Sequence, residues 1–215
     1  YILVNGDKMG STDGVVNSAA DSKTTDGLNK ENGKSTKTGY YLRKLLRSDI
    51  NLNPNSTTKQ KHLNARIRST EILLDYAEAA NEAQGPKANV GGANYSAYDV
   101  IKAIRERAGI GEFGEDPYLE ECAQSKEKMR ELIRNERRLE LCFENHRFWD
   151  LRRWKANLNE AAKGINITTD EATGAFVYKT FDAEVRKYDD YMNYGPIPYS
   201  EILKYSNLKQ NEGWK

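Results

Sequence analysis

Apolar residues recur with helical spacing in three stretches of the chain, and long polar segments separate these stretches. The first stretch begins at Leu63, continues through Ile67 and Leu74, and ends at the Gly-Pro pair at 85–86, where a helix cannot continue. Ile72 and other apolar positions widen its apolar face. The pattern therefore predicts a helix that is buried on two sides.

The second stretch is a compact apolar stripe with three- and four-residue spacing. It contains Ala97, Val100, Ile101 and Ile104, and Gly109 closes it. Together with the first helix it predicts an antiparallel helical hairpin, which resembles one tetratricopeptide-type repeat with a lengthened loop. Such a repeat requires neighbouring elements to cover its apolar faces.

The third stretch predicts a helix, a tight corner and a short aromatic helix. Ser125 is placed as an N-cap, and apolar positions continue from there to Glu144. Asn145 follows where the chain needs a left-handed residue, a conformation that asparagine tolerates. The aromatic helix carries Trp149 and Trp154, which their helical spacing predicts to be core residues rather than a platform for a sugar.

The rest of the chain is rich in polar and turn-forming residues. Four short β-prone runs predict strands: 1–4, 40–45, 165–168 and 175–178. A short helix is predicted over 158–163, ended by Gly164, and one helical turn over 200–204. The expected fold is mainly α, with tetratricopeptide-like hairpins, long irregular loops and a few short strands. It divides into a polar excursion with short strands (1–60), a helical core (61–155) and a loop-rich C-terminal segment (156–215).

Composition excludes several classes of function. Lysine plus arginine number 33 against 32 acidic residues, so no global field attracts nucleic acid. The longest apolar runs are a few residues, far short of the roughly 20 that a membrane helix needs.

Cys122 and Cys142 lie 20 positions apart in a largely helical region, too far for a disulfide, so two free thiols are predicted. No Cys/His spacing is typical of zinc, and no metal or other cofactor is expected.

A glutamate interrupts the apolar stripe of the third helix. Glu136 lies seven residues after one apolar position and seven before another, and a buried carboxylate needs a partner. The candidate partners in an ion-pair network are Arg137, Arg105, Arg107 and Arg147, since a guanidinium suits a bidentate pair. A structural ion pair is the favoured interpretation. A catalytic role stays open, although no second carboxylate or histidine is fixed beside Glu136 by spacing.

Six segments, in order, resemble the SusD/RagB family. They are EILLDYAEA at 71–79, IRERAG at 104–109, IRNERRLEL at 133–141, RFWDLRRW at 147–154, YGPIP at 194–198 and QNEGW at 210–214. The resemblance runs from about Thr38 to the end of the chain and corresponds to the C-terminal portion of the family. It departs at Asn145, where the family usually has glycine, and at Glu212, where it usually has proline.

The resemblance implies an all-helical, tetratricopeptide-based nutrient-binding lipoprotein at the outer-membrane cell surface. Such a protein captures oligosaccharides or peptides for a SusC-like TonB-dependent transporter and has no catalytic activity. The family's lipid-bearing cysteine precedes the matched region, so the membrane anchor is expected outside this chain. Because much of the glycan-contacting surface of the family comes from earlier segments and variable loops, this chain is expected to hold part of a site.

Three tyrosines are the candidate ligand-binding residues. Tyr188, Tyr191 and Tyr194 lie among acidic and amide side chains in a predicted loop, and sugars stack on aromatic rings while polar groups take their hydroxyls. The alternative is that these rings pack on the protein and their hydroxyls bind backbone groups.

Two functions of other classes compete with nutrient capture. A glycosidase requires two carboxylates about 5–10 Å apart, but no motif marks such a pair, and neither His62 nor His146 lies in a catalytic motif. A helical-repeat adaptor would bind a protein partner through Arg130, Arg134 and Arg138. Internal ion pairs are the favoured interpretation of these arginines. Burial discriminates here, because an adaptor face would leave them exposed and unpaired, whereas a structural network would tie several of them to Glu140, Glu144 or Asp150.

Overall fold

A computed structural model describes residues 2–8, 15–47, 49–51, 55–56, 58–61, 63, 65–111 and 114–214 of the chain. The chain divides into two compact units. Residues 61–150 form the helical unit, and residues 1–60 together with 151–215 form the strand unit. His62 lies outside the described residues.

The helices of the described residues are α1 (Ser69–Gln84), α2 (Ala97–Arg107), α3 (Pro117–Cys122), α4 (Lys126–Glu140), α5 (His146–Arg153) and α6 (Tyr199–Ile202), with a 3-10 turn at Asp190–Asn193. The strands are β1 (Ile2–Leu3), β2 (Tyr41–Leu42), β3 (Ala162–Thr169) and β4 (Phe176–Glu184). The prediction of a mainly helical chain with long loops and short strands is confirmed. No helix of the described part is long and apolar enough to cross a membrane.

The core of the helical unit lies where α1, α2, α3 and α4 pack together. Its buried members are Leu74, Ala77, Ala80, Ala97, Val100, Ile101, Ile104, Leu119, Cys122, Met129, Leu132, Ile133 and Leu141. α2 begins with a complete capping box between Ser96 and Asp99, and its predicted apolar stripe is buried. Cys122 and Cys142 are both thiols, as predicted.

The predicted start and width of the first helix are wrong. α1 begins at Ser69, and Leu63 and Ile67 precede it with 77% and 69% of their surface exposed. Arg68 has extended backbone at the N-cap because its guanidinium is held by the Glu144 carboxylate, with both N···O distances 2.8 Å. Ile72 is 57% exposed, so α1 is buried on one side only.

α3 was not predicted, and the end of α4 differs from the prediction. α3 has only six residues, too few to show helical periodicity, and it starts from the N-cap Asp116 with Pro117 in its first turn. α4 starts after its N-cap Ser125 as predicted but ends at Glu140 rather than Glu144. Asn145 has a φ of 68°, which confirms the left-handed corner.

The prediction that Trp149 is a core residue is wrong. Trp149 is 67% exposed and stacks edge to face on its exposed neighbour Phe148, with ring centroids 5.0 Å apart. The inward position of α5 belongs to Asp150, because the buried guanidinium of Arg137 requires a carboxylate there. Trp154, in the strand unit, is half-buried beneath the guanidinium of Arg153, 5.1 Å from its ring.

The strand unit contains two antiparallel pairs. β1 pairs with β2, which confirms the predicted strands around the polar excursion, and β3 pairs with β4. The predicted helix over 158–163 is wrong, since residues 158–161 form a turn and irregular backbone and β3 starts at Ala162. Gly164 is therefore a strand glycine, and it lies close to the Phe181 ring and the Thr38 carbonyl.

Candidate functional site

The ion pairs of the helical unit centre on Arg105. Its Nη1 donates to Glu136 Oε1 over 2.8 Å, and its Nε donates to Asp116 Oδ2 over 2.6 Å. The hydrogen bond from Arg105 holds the pKa of Asp116 below its usual range, and the two carboxylates keep the pKa of Arg105 raised. One guanidinium thus connects α2, the N-cap of α3 and α4.

The other arginines of the predicted network have different partners. Arg137 Nε lies 3.0 Å from Asp150 Oδ2, and its Nη1 also donates to Asp75. Arg107 donates to Glu140. Arg147 lies half-buried in α5. Of the five predicted residues, the structure pairs Arg105 with Glu136, whereas Arg137 and Arg107 bind other acids. Sequence reasoning named Asp150 and Glu140 only as partners of Arg130, Arg134 and Arg138, and it missed Asp116 and Asp75 altogether.

Two of the three arginines that would form an adaptor face lie beside glutamates. Arg130 binds Glu82 through Nε at 2.6 Å and Nη2 at 2.7 Å, which joins α4 to α1. Arg134 Nη1 lies 3.7 Å from Glu131 on the same helix. Arg138 is exposed.

Tyr188 and Tyr191 are half-buried and packed on neighbours. The backbone of Tyr188 makes two hydrogen bonds with the Asn159 side chain, at 2.6 and 2.8 Å, and the Arg152 guanidinium lies 5.2 Å from its ring. The ring of Tyr191 meets Trp214 edge to face at 5.0 Å. These contacts correspond to the alternative in which the rings pack on the protein.

Tyr194 differs from the other two predicted tyrosines because it is 71% exposed. Its backbone is nevertheless fixed, since Trp214 Nε1 donates to the Tyr194 carbonyl over 2.8 Å. An aromatic ring that is open to solvent on a fixed backbone is available for stacking against a ligand.

Three side chains near the end of the chain hold residues 194–198, and we call them the terminal clasp: Gln210, Asn211 and Trp214. The Gln210 amide accepts from Ile197 N over 2.8 Å and donates to Ile197 O over 3.0 Å. Asn211 Nδ2 donates to the Gly195 carbonyl over 2.8 Å. The clasp thereby fixes an extended segment whose two prolines already restrict its backbone.

Sequence reasoning missed two further exposed tyrosines near this segment of the chain. Tyr199, the first residue of α6, is 72% exposed, and Tyr205 is 62% exposed. The available signal was the same as for Tyr194, an aromatic residue in a polar, turn-rich stretch.

An α-helical hairpin packed on a further helix is a tetratricopeptide-like arrangement. The model of the SusD family matches residues 1–214, and the chain therefore belongs to the SusD family. The sequence resemblance to this family is confirmed.

Two similar proteins are also SusD-like. The chain is 30% identical over 145 residues to the SusD-like protein P2 of Formosa agariphila, covering 67% of this chain and 24% of that protein. It is 28% identical to a SusD-like protein of Bacteroides fragilis whose crystal structure superposes with a TM-score of 0.73, covering 99% of this chain and 38% of the other. The chain thus spans roughly a quarter to two fifths of the relatives it matches.

Members of the SusD family have a tetratricopeptide-like fold and are generally nutrient-binding lipoproteins of the outer-membrane surface. They generally work with SusC-like transporters, bind glycans, and are binding proteins rather than enzymes.

Proposed function

We propose that this chain is part of a cell-surface lipoprotein that captures oligosaccharide or peptide nutrients without catalysis. The captured nutrient is passed to a SusC-like TonB-dependent transporter, and a lipid anchor outside this chain holds the protein at the outer membrane. Family membership supports this proposal. The observation that carries it at residue level is Tyr194, an exposed ring on a backbone that the terminal clasp fixes.

Tyr194 is the residue we assign to ligand stacking. Tyr191 supports it indirectly, since Tyr191 packs on Trp214 and Trp214 holds the Tyr194 carbonyl. A ring that is already oriented loses little conformational entropy when a ligand stacks on it. Glu136 is assigned to the ion pair with Arg105, because the guanidinium already engages its carboxylate and only 6% of the side chain is exposed.

The test is a binding screen of the protein in its full natural length against oligosaccharides and short peptides. Trp214, one of three tryptophans in the chain, contacts Tyr191 and Tyr194, so its contribution to the intrinsic fluorescence reports on this segment. We expect saturable binding with no release of reducing ends. Release of reducing ends would overturn the noncatalytic assignment, and silence across the whole panel would overturn nutrient capture in favour of a protein adaptor.

A pair of variants tests the assignment of Tyr194. Tyr194→Ala should weaken the best ligand of the panel at least fivefold. The matched control is Tyr178→Ala, which removes a ring of similar exposure, 59%, from β4. An equal effect of both variants, or none from Tyr194→Ala, would remove Tyr194 from the site.

A further inference from the structure

A crevice lies between one face of α2 and the start of α3 in the helical unit. It has a volume of about 240 Å³. Tyr98, Lys102 and Glu106 contribute from successive turns of α2. Residues 110–111 and 114–116 and the first turn of α3 supply the opposite side. None of the predicted ligand-binding tyrosines lines it.

The walls of the crevice are held in place by charged groups. Arg105 ties Asp116, the N-cap of α3, to α2 through distances of 2.6 and 3.1 Å. The Tyr98 hydroxyl donates to Glu120 of α3, and this hydrogen bond raises the pKa of Tyr98 to about 12. The crevice is therefore preformed, and a ligand need not order its walls.

The inside of the crevice is largely apolar and its rim is acidic. Ile110 and Pro117 provide exposed aliphatic surface, and Leu119, which is 1% exposed, lines the crevice from within the core. Most of the rim charges already have partners. The Lys102 ammonium lies 3.8 Å from Glu106, Lys87 lies 3.3 Å from Glu120, and Arg105 binds Asp116.

Glu115 is the exception on this rim. Its side chain is exposed, and it makes no hydrogen bond or ion pair with any residue that the structure describes. A carboxylate at the edge of an apolar crevice accepts hydrogen bonds from a cation whose apolar stem lies inside.

We propose that this crevice binds a protonated primary amine on a short aliphatic chain, as in the lysine side chain of a peptide. Its volume is below the roughly 300–1,000 Å³ of typical small-molecule sites, so it fits one side chain rather than an oligosaccharide. The methylene groups lie on Ile110 and Pro117, and the ammonium donates to Glu115. This site is separate from Tyr194 and does not depend on the proposed function.

The experiment compares two ligands that differ in charge. Nα-acetyl-lysine amide and Nα-acetyl-norleucine amide have side chains of nearly the same length, but only the first carries an ammonium group. Binding to the protein in its full natural length is followed by titration calorimetry. We expect the lysine amide to bind about threefold to fivefold more tightly than the norleucine amide, since the carboxylate is exposed, and the difference to shrink as sodium chloride is raised.

Variants locate the site. Glu115→Gln removes the charge with little change of shape and should weaken the lysine amide about threefold to fivefold. Ile110→Ser removes apolar surface from a residue that is already 42% exposed, so the fold tolerates it, and it should weaken both amides. Glu131→Gln is the matched control, since its side chain is 73% exposed on α4 and outside the crevice.

Three outcomes would overturn the proposal: equal binding of the two amides, unchanged binding in Glu115→Gln, or an equal loss in Glu131→Gln. The last of these would mean that the lysine amide is attracted by the negative charges of the surface in general and does not bind specifically in this crevice. Because the probes contain no sugar, none of these outcomes bears on oligosaccharide capture at Tyr194.

Discussion

Arg105 and Glu136 form an ion pair across the core of the helical unit, with 2.8 Å between Nη1 and Oε1 and side-chain exposures of 9% and 6%. Arg105 also holds Asp116, so its guanidinium joins three helices. A buried charge of this kind is costly to desolvate and is tolerated only while its partners remain. The pair therefore makes the stability of the unit sensitive to single substitutions at its members.

Glu136→Ala should lower the free energy of unfolding by about 3 kcal/mol. Removing one partner of a buried pair typically costs about 3–5 kcal/mol, and Arg105 keeps Asp116, which favours the lower end. Urea unfolding followed by far-ultraviolet circular dichroism measures this loss of unfolding free energy. The control is Glu131→Ala, an exposed glutamate 3.7 Å from Arg134, for which the loss should stay within about 0.5 kcal/mol. A loss below about 1 kcal/mol for Glu136→Ala would contradict the prediction.

Asp116→Asn isolates the charge of the second carboxylate, because asparagine also serves as an N-cap. Arg105 holds the pKa of Asp116 below the ordinary value of 3.8. A depressed folded pKa stabilises the protein above the unfolded pKa, and this stability is lost as the pH falls through the folded value.

The difference in unfolding free energy between the native protein and Asp116→Asn should therefore be constant from about pH 5 to 7 and shrink below about pH 4. Urea unfolding at several pH values measures this difference. A difference that stays constant down to pH 2 would mean that the ion pair with Arg105 does not stabilise the folded state.

The elements that could be predicted are those whose signals are local. The start of α4 follows from the capping residue Ser125, and the start of α2 follows from an apolar stripe of three- and four-residue spacing that begins at Ala97. The corner at Asn145 follows from the few residues that tolerate a positive φ.

The elements that could not be predicted depend on distant residues. Trp149 points to solvent because Arg137 takes Asp150 as its partner, and periodicity cannot reveal this pairing. Leu63 lies outside α1 because Arg68, held by Glu144 far along the chain, keeps an extended conformation.

The candidate site was predictable only in part, for the same reason. The sequence marks Tyr194 as an aromatic residue in a polar loop but gives no sign that Trp214 fixes its backbone. It likewise cannot distinguish the exposed ring of Tyr194 from the packed rings of Tyr188 and Tyr191. Exposure depends on which neighbours the fold supplies, and those neighbours lie as far away as position 214.

Gly164→Ala should destabilise the strand unit. A Cβ atom at Gly164 would lie 2.7 Å from Phe181 Cζ and 3.0 Å from the Thr38 carbonyl oxygen, and the backbone oxygen cannot move aside easily. Overpacking of this kind typically costs about 1–3 kcal/mol.

Gly195→Ala is the matched control for this glycine. A Cβ atom there meets nothing within 4 Å, so stability should stay equal or rise by up to about 1 kcal/mol. Thermal unfolding of both variants decides the matter, and equal stabilities would show that the approach to Phe181 relaxes without cost.

Gln210→Ala should release the segment that carries Tyr194. The Gln210 amide makes two hydrogen bonds with Ile197, at 2.8 and 3.0 Å, and each is worth about 1 kcal/mol. Because 1.4 kcal/mol corresponds to a factor of ten, the Ile197 amide should exchange its hydrogen with solvent at least about tenfold faster in this variant. Lys209→Ala changes the exposed neighbouring position and should leave that rate unchanged.

Gln210→Ala also tests whether ligand binding depends on the terminal clasp. If a fixed backbone is what presents Tyr194, Gln210→Ala should weaken the best ligand of the panel less than Tyr194→Ala does, because the ring itself remains. Faster exchange with unchanged affinity would show that stacking on Tyr194 does not depend on the clasp. Unchanged exchange would show that the prolines at 196 and 198 fix the segment without Gln210.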